Sequence, residues 1–207
     1  LERAGSVKRV VFDKTGTLAR GELTLGDVIP LAQINEDELL RTAALAEKQS
    51  EHLLARLIVR EAESRGSVVP YVDSFSSHPG AGVVADVPVT VLGAWANEIP
   101  GSESGDFRRV IVGNRHLLET QGISLSEELT ERLTELDASA QMVLMVAVET
   151  KLLGLIGVRD SVREESAAVL AELRNEGISN FALLTGDRLA SANVVGSSLG
   201  LAENVHA

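Results

Sequence analysis

The chain has 207 residues, of which 44% are hydrophobic and 24% charged, a composition typical of a globular protein. Its formal net charge of −11 argues against a nucleic-acid partner, because phosphate backbones require clustered lysine and arginine side chains. The sequence contains no cysteine, which excludes disulfides, thiolate metal sites and cysteine nucleophiles. No apolar run approaches the ~18 residues that a membrane-spanning helix needs.

The first two thirds of the sequence predict a buried strand at 7–12, then helices, then short strands. Asn35 and Glu38 form a near capping box that begins a helix. The polar sequence EKQSEH interrupts it, and a second helix ends at Gly66. Residues 67–114 contain the β-like runs SVVPYVDSF, GVVADVPVTVLG and RRVIVGN, separated by Gly, Pro and Ser. A polar helix and the strands QMVLMVAV and LLGLIGV follow, with a tight turn between the two strands.

The last third alternates strand and helix. Ser161 and Glu164 predict a capped helix, FALL predicts a buried strand, and another helix follows. This alternation is typical of a parallel sheet, to which the strand at 7–12 also fits. We therefore predict an α/β fold in which a discontinuous, Rossmann-like domain is interrupted by an α+β domain on an antiparallel sheet. The predicted boundaries are 1–22 and 152–207 for the first domain and 23–151 for the insertion.

The sequence VVFDKTGTL places an ionisable carboxylate, Asp13, where the first strand ends. Reactive groups of open α/β sheets lie at the carboxyl ends of strands. A carboxylate in that position can attack a phosphoryl group and form an aspartyl phosphate. Gly16 lies in the turn that follows, whose backbone N–H groups can cradle a phosphate. For an isolated D-x-T-G, the favoured alternative is an Asp that only caps a turn.

A second candidate sequence, LLTGDR, follows the predicted strand FALL. The hydroxyl of Thr185, the backbone of Gly186 and the N-terminus of the next helix together predict an anion site. Asp187 is placed to face a nucleotide ribose or the domain hinge. T-G-D alone is a common turn sequence, so it indicates a functional site only in combination with other motifs of the chain.

The six residues DKTGTL match the phosphorylation motif of P-type ATPases, and the chain resembles that family within the haloacid-dehalogenase-like superfamily. The resemblance implies that Asp13 is the nucleophile, that Lys14 and Thr185 stabilise the developing charge, and that Thr15 and Asp13 hold Mg²⁺. Soluble phosphatases of the superfamily usually carry a second Asp at the position of Thr15. The aspartyl phosphate should therefore persist here, as a pump requires.

The same resemblance extends to the last third of the chain. LLTGDR corresponds to the family's TGD motif, which implies catalytic roles for Thr185, Gly186 and Asp187. Asp160 and Arg163 match a further acid and base of the family, although Arg163 reads equally well as a surface charge.

The inserted segment resembles that of heavy-metal-translocating P-type ATPases. AEKQSEHLLA is similar to their S-E-H-P signature, which implies that His52 lies against the adenine of ATP and that Glu47 contacts the base. Leu53 replaces the family's proline, which would preorganise the start of a helix. HPGAGV and VGNRHLL resemble the G-x-G and G-N motifs, which implies nucleotide contacts from the remaining set: Gly80, Gly82, Gly113 and Asn114, with Arg115 near the phosphates.

The resemblance implies a region on the cytoplasmic side of a cell membrane that binds ATP and Mg²⁺. It would work with the transmembrane and actuator domains of the same parent chain and with a heavy-metal cation bound elsewhere in it. The sequence stops before the family's G-D-G-x-N-D motif, so we expect a fragment with little or no phosphoryl transfer of its own. The alternatives are a soluble haloacid-dehalogenase-type phosphatase, a non-catalytic nucleotide-binding sensor, and a potassium- or calcium-type pump.

Overall fold

The computed structural model describes residues 7–14, 16–72, 74–99, 106–138, 141–186, 189–201 and 204–206. The chain divides into two compact units: a first unit of Leu1–Thr24, Thr134–Gln141 and Arg159–Ala207, and a second of Leu25–Leu133 and Met142–Val158. The domain boundaries proposed from the sequence stay a prediction. Within the described ranges, no helix has the length and apolar character needed to cross a membrane.

The elements follow one another along the chain as strands and short helices. In chain order they are β1 (Arg9–Asp13), β2 (Ala19–Pro30), α1 (Glu36–Glu47), α2 (Leu53–Ser64), β3 (Ser74–His78), β4 (Gly82–Pro88), α3 (Val89–Leu92), a 3₁₀ helix (Ala94–Glu98), β5 (Phe107–Gly113), α4 (Arg115–Thr120), α5 (Glu127–Ala138), β6 (Met142–Val148), β7 (Lys151–Val162), α6 (Glu164–Asn175), β8 (Asn180–Leu184), α7 (Leu189–Ser198) and β9 (Val205–His206).

The second unit is built on a six-stranded sheet of order β2–β7–β6–β5–β4–β3, in which the neighbours from β3 to β7 pair antiparallel. Helix α1 packs against α2 and against strands β4 and β5. The predicted capping box begins α1, since Glu38 N–H donates to Asn35 Oδ1 and Asn35 N–H donates to Glu38 Oε2, both at 2.9 Å. The prediction of an α+β unit on an antiparallel sheet is confirmed.

The first unit contains a parallel sheet of order β1–β8–β9. Its core joins the sheet to helices α6 and α7, with Leu170, Phe181, Leu183 and Val195 among the buried side chains. The predicted first strand is present, but the expectation that it is buried is wrong. Only alternate side chains of β1 face this core, as the pleat of a strand requires, and Val11 on the other face is 53% exposed.

Three boundaries differ from the predictions. In the run SVVPYVDSF, the strand β3 begins only at Ser74, and the described residues 67–72 are not strand. Ser161 lies in β7 and caps no helix, because α6 begins three residues later, at Glu164, with Arg163 as its N-cap. Leu18 O organises this start, since it accepts from Arg163 N–H at 2.9 Å and from Ser166 Oγ at 3.0 Å. The run GVVADVPVTVLG is only half strand. Proline lacks the N–H that a strand ladder needs, and β4 accordingly ends at Pro88 and gives way to α3.

Candidate functional site

The carboxyl ends of β1 and β8 bring the two candidate catalytic sequences together in the first unit. The strands run parallel with Asp13 opposite Leu184, and Lys14 N–H donates to Leu184 O at 3.1 Å. Thr185 and Gly186 follow directly, so they lie at the same edge of the sheet as Asp13. Asp13 is exposed, whereas Thr185 is buried and its N–H donates to His206 O at 3.0 Å. An exposed carboxylate beside a hydroxyl and a glycine suits attack on a phosphoryl group.

Two predicted members of this site, Thr15 and Asp187, lie outside the described residues. Of the proposed magnesium ligands, the structure therefore describes only Asp13, whose exposed oxygens are the hard donors that Mg²⁺ prefers. Among the described residues, no group of three or more His, Cys, Asp or Glu side chains is placed to hold a metal ion. The described residues thus fit one part of a magnesium shell.

The turn after Asp13 is closed by its own backbone. Gly16 N–H donates to Ala19 O at 2.9 Å, and Ala19 N–H donates to Lys14 O at 2.8 Å. Gly16 has φ +82°, a conformation that side-chain-bearing residues rarely adopt. The Gly16 N–H is therefore already engaged, and the prediction that backbone N–H groups of this turn cradle a phosphate depends on the other residues of the turn.

Asp160 of β7 and Arg163, the residue before α6, also hold this turn in place. The ammonium of Lys14, only 3% exposed, lies 3.2 Å from Asp160 Oδ2. Arg163 Nη2 donates to Gly16 O at 3.2 Å. The buried ammonium must keep a counter-charge, so Asp160 anchors Lys14 beside the nucleophile. Arg163, which sequence left open as a surface charge, contacts the turn itself.

In the second unit, the turn between α1 and α2 brings Glu47 and His52 together. Glu47 ends α1 and is 5% exposed. Ser50 links the two residues, because its side chain hydrogen-bonds Glu47 and its Oγ accepts from the His52 N–H at 3.4 Å. Burial raises the pKa of the Glu47 carboxyl to about 7, and the hydrogen bond with Ser50 opposes the rise.

Glu47→Gln is expected to stabilise the chain in a pH-dependent way. The unfolded carboxyl loses its proton near its ordinary pKa of 4.5, whereas the folded one keeps it until about 7. The contribution of this carboxyl to the free energy of unfolding of the wild type is therefore fully present below pH 4.5 and is lost as the pH rises through 7. The neutral amide avoids that loss. The difference in free energy of unfolding between variant and wild type should therefore favour the variant by on the order of 3 kcal/mol more at about pH 8 than at about pH 4.

Urea unfolding of both chains at the two pH values measures this gain. Glu51→Gln, in the same turn but exposed, is the matched control and should show the same small difference from wild type at both. A Glu47→Gln difference that does not change with pH would contradict the raised pKa.

His52 serves as the N-cap of α2. Its Nδ1 accepts from the Leu54 N–H at 3.2 Å, which leaves the exposed ring free to present Nε2 and its face to solvent. His52 has φ −66° and ψ 146°, the extended conformation that a residue before proline adopts. Leu53, at the first position of α2, therefore preserves the local backbone that the proline of the S-E-H-P signature would impose.

The glycines of the G-x-G and G-N sequences face each other across neighbouring strands. Gly82 of β4 pairs with Gly113 of β5. A Cβ added to Gly82 would lie 2.1 Å from Val112 O, and one added to Gly113 would lie 2.3 Å from Ala81 O. At Gly80, an added Cβ would meet nothing within 4 Å. The first two are required by packing of the sheet, and only Gly80 has open space in front of it.

Asn114 joins this turn to α4. Its N–H donates to Ala81 O at 2.8 Å, its Nδ2 donates to Gly80 O at 3.0 Å, and its Oδ1 accepts from Leu117 N–H at 3.1 Å. A side-chain amide has two N–H donors, so one remains for a ligand. Arg115, expected near the phosphates, pairs with Glu119 at 2.7 Å. Helix α1, which ends at Glu47, packs against the two strands that carry these glycines.

Comparison with known proteins places this arrangement in a family. The chain matches the family model of haloacid dehalogenase-like hydrolases over residues 7–207, and it therefore belongs to that family. It is 35% identical over 204 residues to a zinc-exporting P-type ATPase of Mycobacterium marinum, covering 98% of this chain and 25% of that protein. It is 34% identical over 201 residues to a probable copper-exporting P-type ATPase of Archaeoglobus fulgidus, covering 97% of this chain and 22% of that protein.

The solved structures that resemble the chain agree with these relatives. A zinc-transporting PIB-type ATPase, crystallised in the E2.Pi state, superimposes with a TM-score of 0.79 at 29% identity, covering 99% of this chain and 30% of that one. The haloacid-dehalogenase-like fold expected from the sequence is thus confirmed. The chain spans about a quarter of the length of the curated relatives it matches.

Proposed function

We propose that this chain is the nucleotide-binding and phosphorylation region of a P-type ATPase that pumps a heavy-metal cation across a membrane. The observation that carries the proposal is the position of Asp13 beside Thr185 at one edge of the parallel sheet, in the sequences DKTGTL and LLTGDR. Similarity along almost the whole chain to metal exporters supports it. Exporters of zinc, copper and manganese are about equally similar, so this region leaves the transported metal unassigned.

In the proposed reaction, a carboxylate oxygen of Asp13 attacks the γ-phosphorus of ATP. The bond from the γ-phosphorus to its bridging oxygen breaks, and ADP leaves with the electron pair. The Thr185 hydroxyl and the Gly186 N–H are the proposed donors to the phosphoryl oxygens. Lys14 is proposed to stabilise the developing charge as well, and its ion pair with Asp160 holds the turn after the nucleophile in place.

The proposed intermediate is long-lived because of one residue. Thr15 stands where a phosphatase of the superfamily carries a second acid, so the motif supplies no carboxylate to activate water against the aspartyl phosphate. Mg²⁺, when bound by Asp13 and the Thr15 carbonyl, supplies positive charge to the phosphates. The lack of that acid therefore favours a pump over the soluble phosphatase. The exposed nucleophile favours either of these two enzymes over a non-catalytic sensor.

The proposed ATP site lies in the second unit. His52 presents its ring to the adenine, Glu47 contacts the edge of the base, and Gly80 lets the backbone approach the nucleotide, with the free N–H of Asn114 as a further donor. Glu47, with its pKa near 7, can as a neutral carboxyl donate a hydrogen bond to a ring nitrogen and accept a hydrogen bond from the amino group. Gly82 and Gly113 support this site by allowing the close approach of β4 and β5.

The proposed parent protein lies in a cell membrane with this region on the cytoplasmic side. Its transmembrane and actuator domains would be the partners of this region, and the heavy-metal cation would be bound in the former. Phosphorylation of Asp13 would drive the rearrangement that opens the metal path.

Calorimetric titration of the chain with ATP, ADP and GTP, repeated on His52 variants, tests the nucleotide half of the proposal. We expect adenine nucleotides to bind in preference to GTP, and His52→Ala to weaken them about five- to tenfold through loss of the ring contact. That variant also loses the cap of α2, which costs about 1 kcal/mol of stability.

His52→Asn separates the two effects, because asparagine caps helices but offers no aromatic ring. Weak binding in both variants supports contact between the ring and adenine. Full affinity in His52→Asn would assign His52 a capping role only. Binding indifferent to the base and to His52 would remove the heavy-metal subgroup from the proposal, and turnover of p-nitrophenyl phosphate would favour the phosphatase.

A further inference from the structure

A second candidate ligand site lies beside the G-x-G turn and uses residues that the proposed function leaves idle. A cleft of about 260 Å³ is lined by His78, Pro79, Ala81, His116, Leu117 and Thr120. Two of the four histidines of the chain therefore open into one cleft. Neither imidazole has a hydrogen-bond partner among the described residues, whereas His52 is engaged as a helix cap.

The two histidines are carried by elements that hydrogen bonds fix to each other. His78 is the last residue of β3, and its carbonyl accepts from the Ala81 N–H at 2.9 Å to close the turn. Asn114 then ties this turn to the start of α4 through its bonds to Ala81 and Gly80. His116 lies in the first turn of α4. The backbone segments that carry the two rings are therefore fixed to each other, which lowers the cost of binding a ligand that bridges the rings.

The chemistry of the pair selects the ligand. Imidazole nitrogens suit Zn²⁺, Ni²⁺ and Cu²⁺, whereas Mg²⁺ and Ca²⁺ prefer oxygen ligands. The cleft is open, since His116 is exposed and His78 half-exposed, so an ion can enter from solution. The described part of the chain places no third His, Cys, Asp or Glu with them. With two protein ligands, water would fill the remaining positions, and the ion would be held more weakly than in a catalytic zinc centre with three protein ligands.

We propose that His78 and His116 together bind a divalent transition-metal ion in this cleft. The ion would clamp the G-x-G turn to α4, next to Gly80 and Asn114. Both ligands lie in the second unit of the chain.

Calorimetric titration with Zn²⁺, in a non-coordinating buffer without nucleotide, tests the proposal independently of the proposed function. We expect one ion per chain, with affinity about tenfold lower in His78→Gln or in His116→Gln because each variant removes one of two ligands. The double variant, which keeps neither ligand, should show no binding at this site. His206→Gln, in the first unit, is the matched control and should bind as wild type does.

Two further readouts keep the test independent of mutant folding. On the unmodified chain, Zn²⁺ should shift the imidazole NMR signals of His78 and His116 and leave that of His206 in place. Binding should also be lost in acid, because a protonated imidazole cannot ligate a metal. Wild-type affinity in both single variants, or shifts confined to other histidines, would overturn the proposal.

Discussion

The proposed parent pump, when it carries Asp13→Asn, is expected to form no phosphorylated intermediate on incubation with radiolabelled ATP. The amide oxygen of asparagine is too weak a nucleophile to attack phosphorus, whereas its shape matches that of aspartate. Because Asp13 is exposed, the substitution should leave the free energy of unfolding of the chain nearly unchanged. The loss of label should therefore be complete and not a consequence of misfolding.

Acid-quenched labelling followed by hydroxylamine treatment measures this outcome, since hydroxylamine cleaves an acyl phosphate. Asp106→Asn, an exposed carboxylate of the second unit, is the control and should label as wild type does. Hydroxylamine-sensitive label that survives in Asp13→Asn would place the acyl phosphate on another carboxylate, and the proposed function would fail at its central step.

Gly82→Ala should lower the free energy of unfolding of the chain, measured in urea, by about 4 kcal/mol. This is the largest effect on stability that we predict. The new Cβ would lie 2.1 Å from Val112 O and 2.5 Å from Gly113 Cα, both backbone atoms of the adjacent strand. Gly82 also has φ +145°, which strains any residue with a side chain. Overpacking and backbone strain each cost about 1–3 kcal/mol, and together they account for the predicted loss of about 4 kcal/mol. The overpacking arises because the new Cβ forces β4 away from β5.

Gly80→Ala provides the matched control two residues away. Its φ of +71° is also positive, but the added Cβ meets no atom within 4 Å. Strain alone should then cost about 1–2 kcal/mol. Equal losses in the two variants would show that conformation, and not the contact between strands, explains the glycine at position 82.

Features that depend on neighbouring residues, or on one general rule of sheet topology, could be predicted from the sequence. The capping box of α1 needs only Asn35 and Glu38, which are three residues apart, and it is present. The meeting of Asp13 with Thr185 follows from one rule about parallel strands, once the two strands are recognised.

Features that depend on distant residues could not be predicted in this way. The start of α6 is displaced from Ser161 because Leu18 O accepts the bonds that organise it. Glu47 lies in a polar sequence that suggests exposure, and only packing of the second unit buries it. The counter-ion of Lys14 follows the whole inserted segment, so no local pattern connects Asp160 with the nucleophile.

The pairing of Arg9 with Asn180 constrains the order in which the chain folds during synthesis. A ribosome that adds about 5–20 residues per second makes β8 on the order of ten seconds after β1. During that time β1 has no partner in its sheet, whereas every strand of the six-stranded sheet is complete by Val162. The second unit can therefore fold first, and the edge that holds Asp13 forms among the last events of folding.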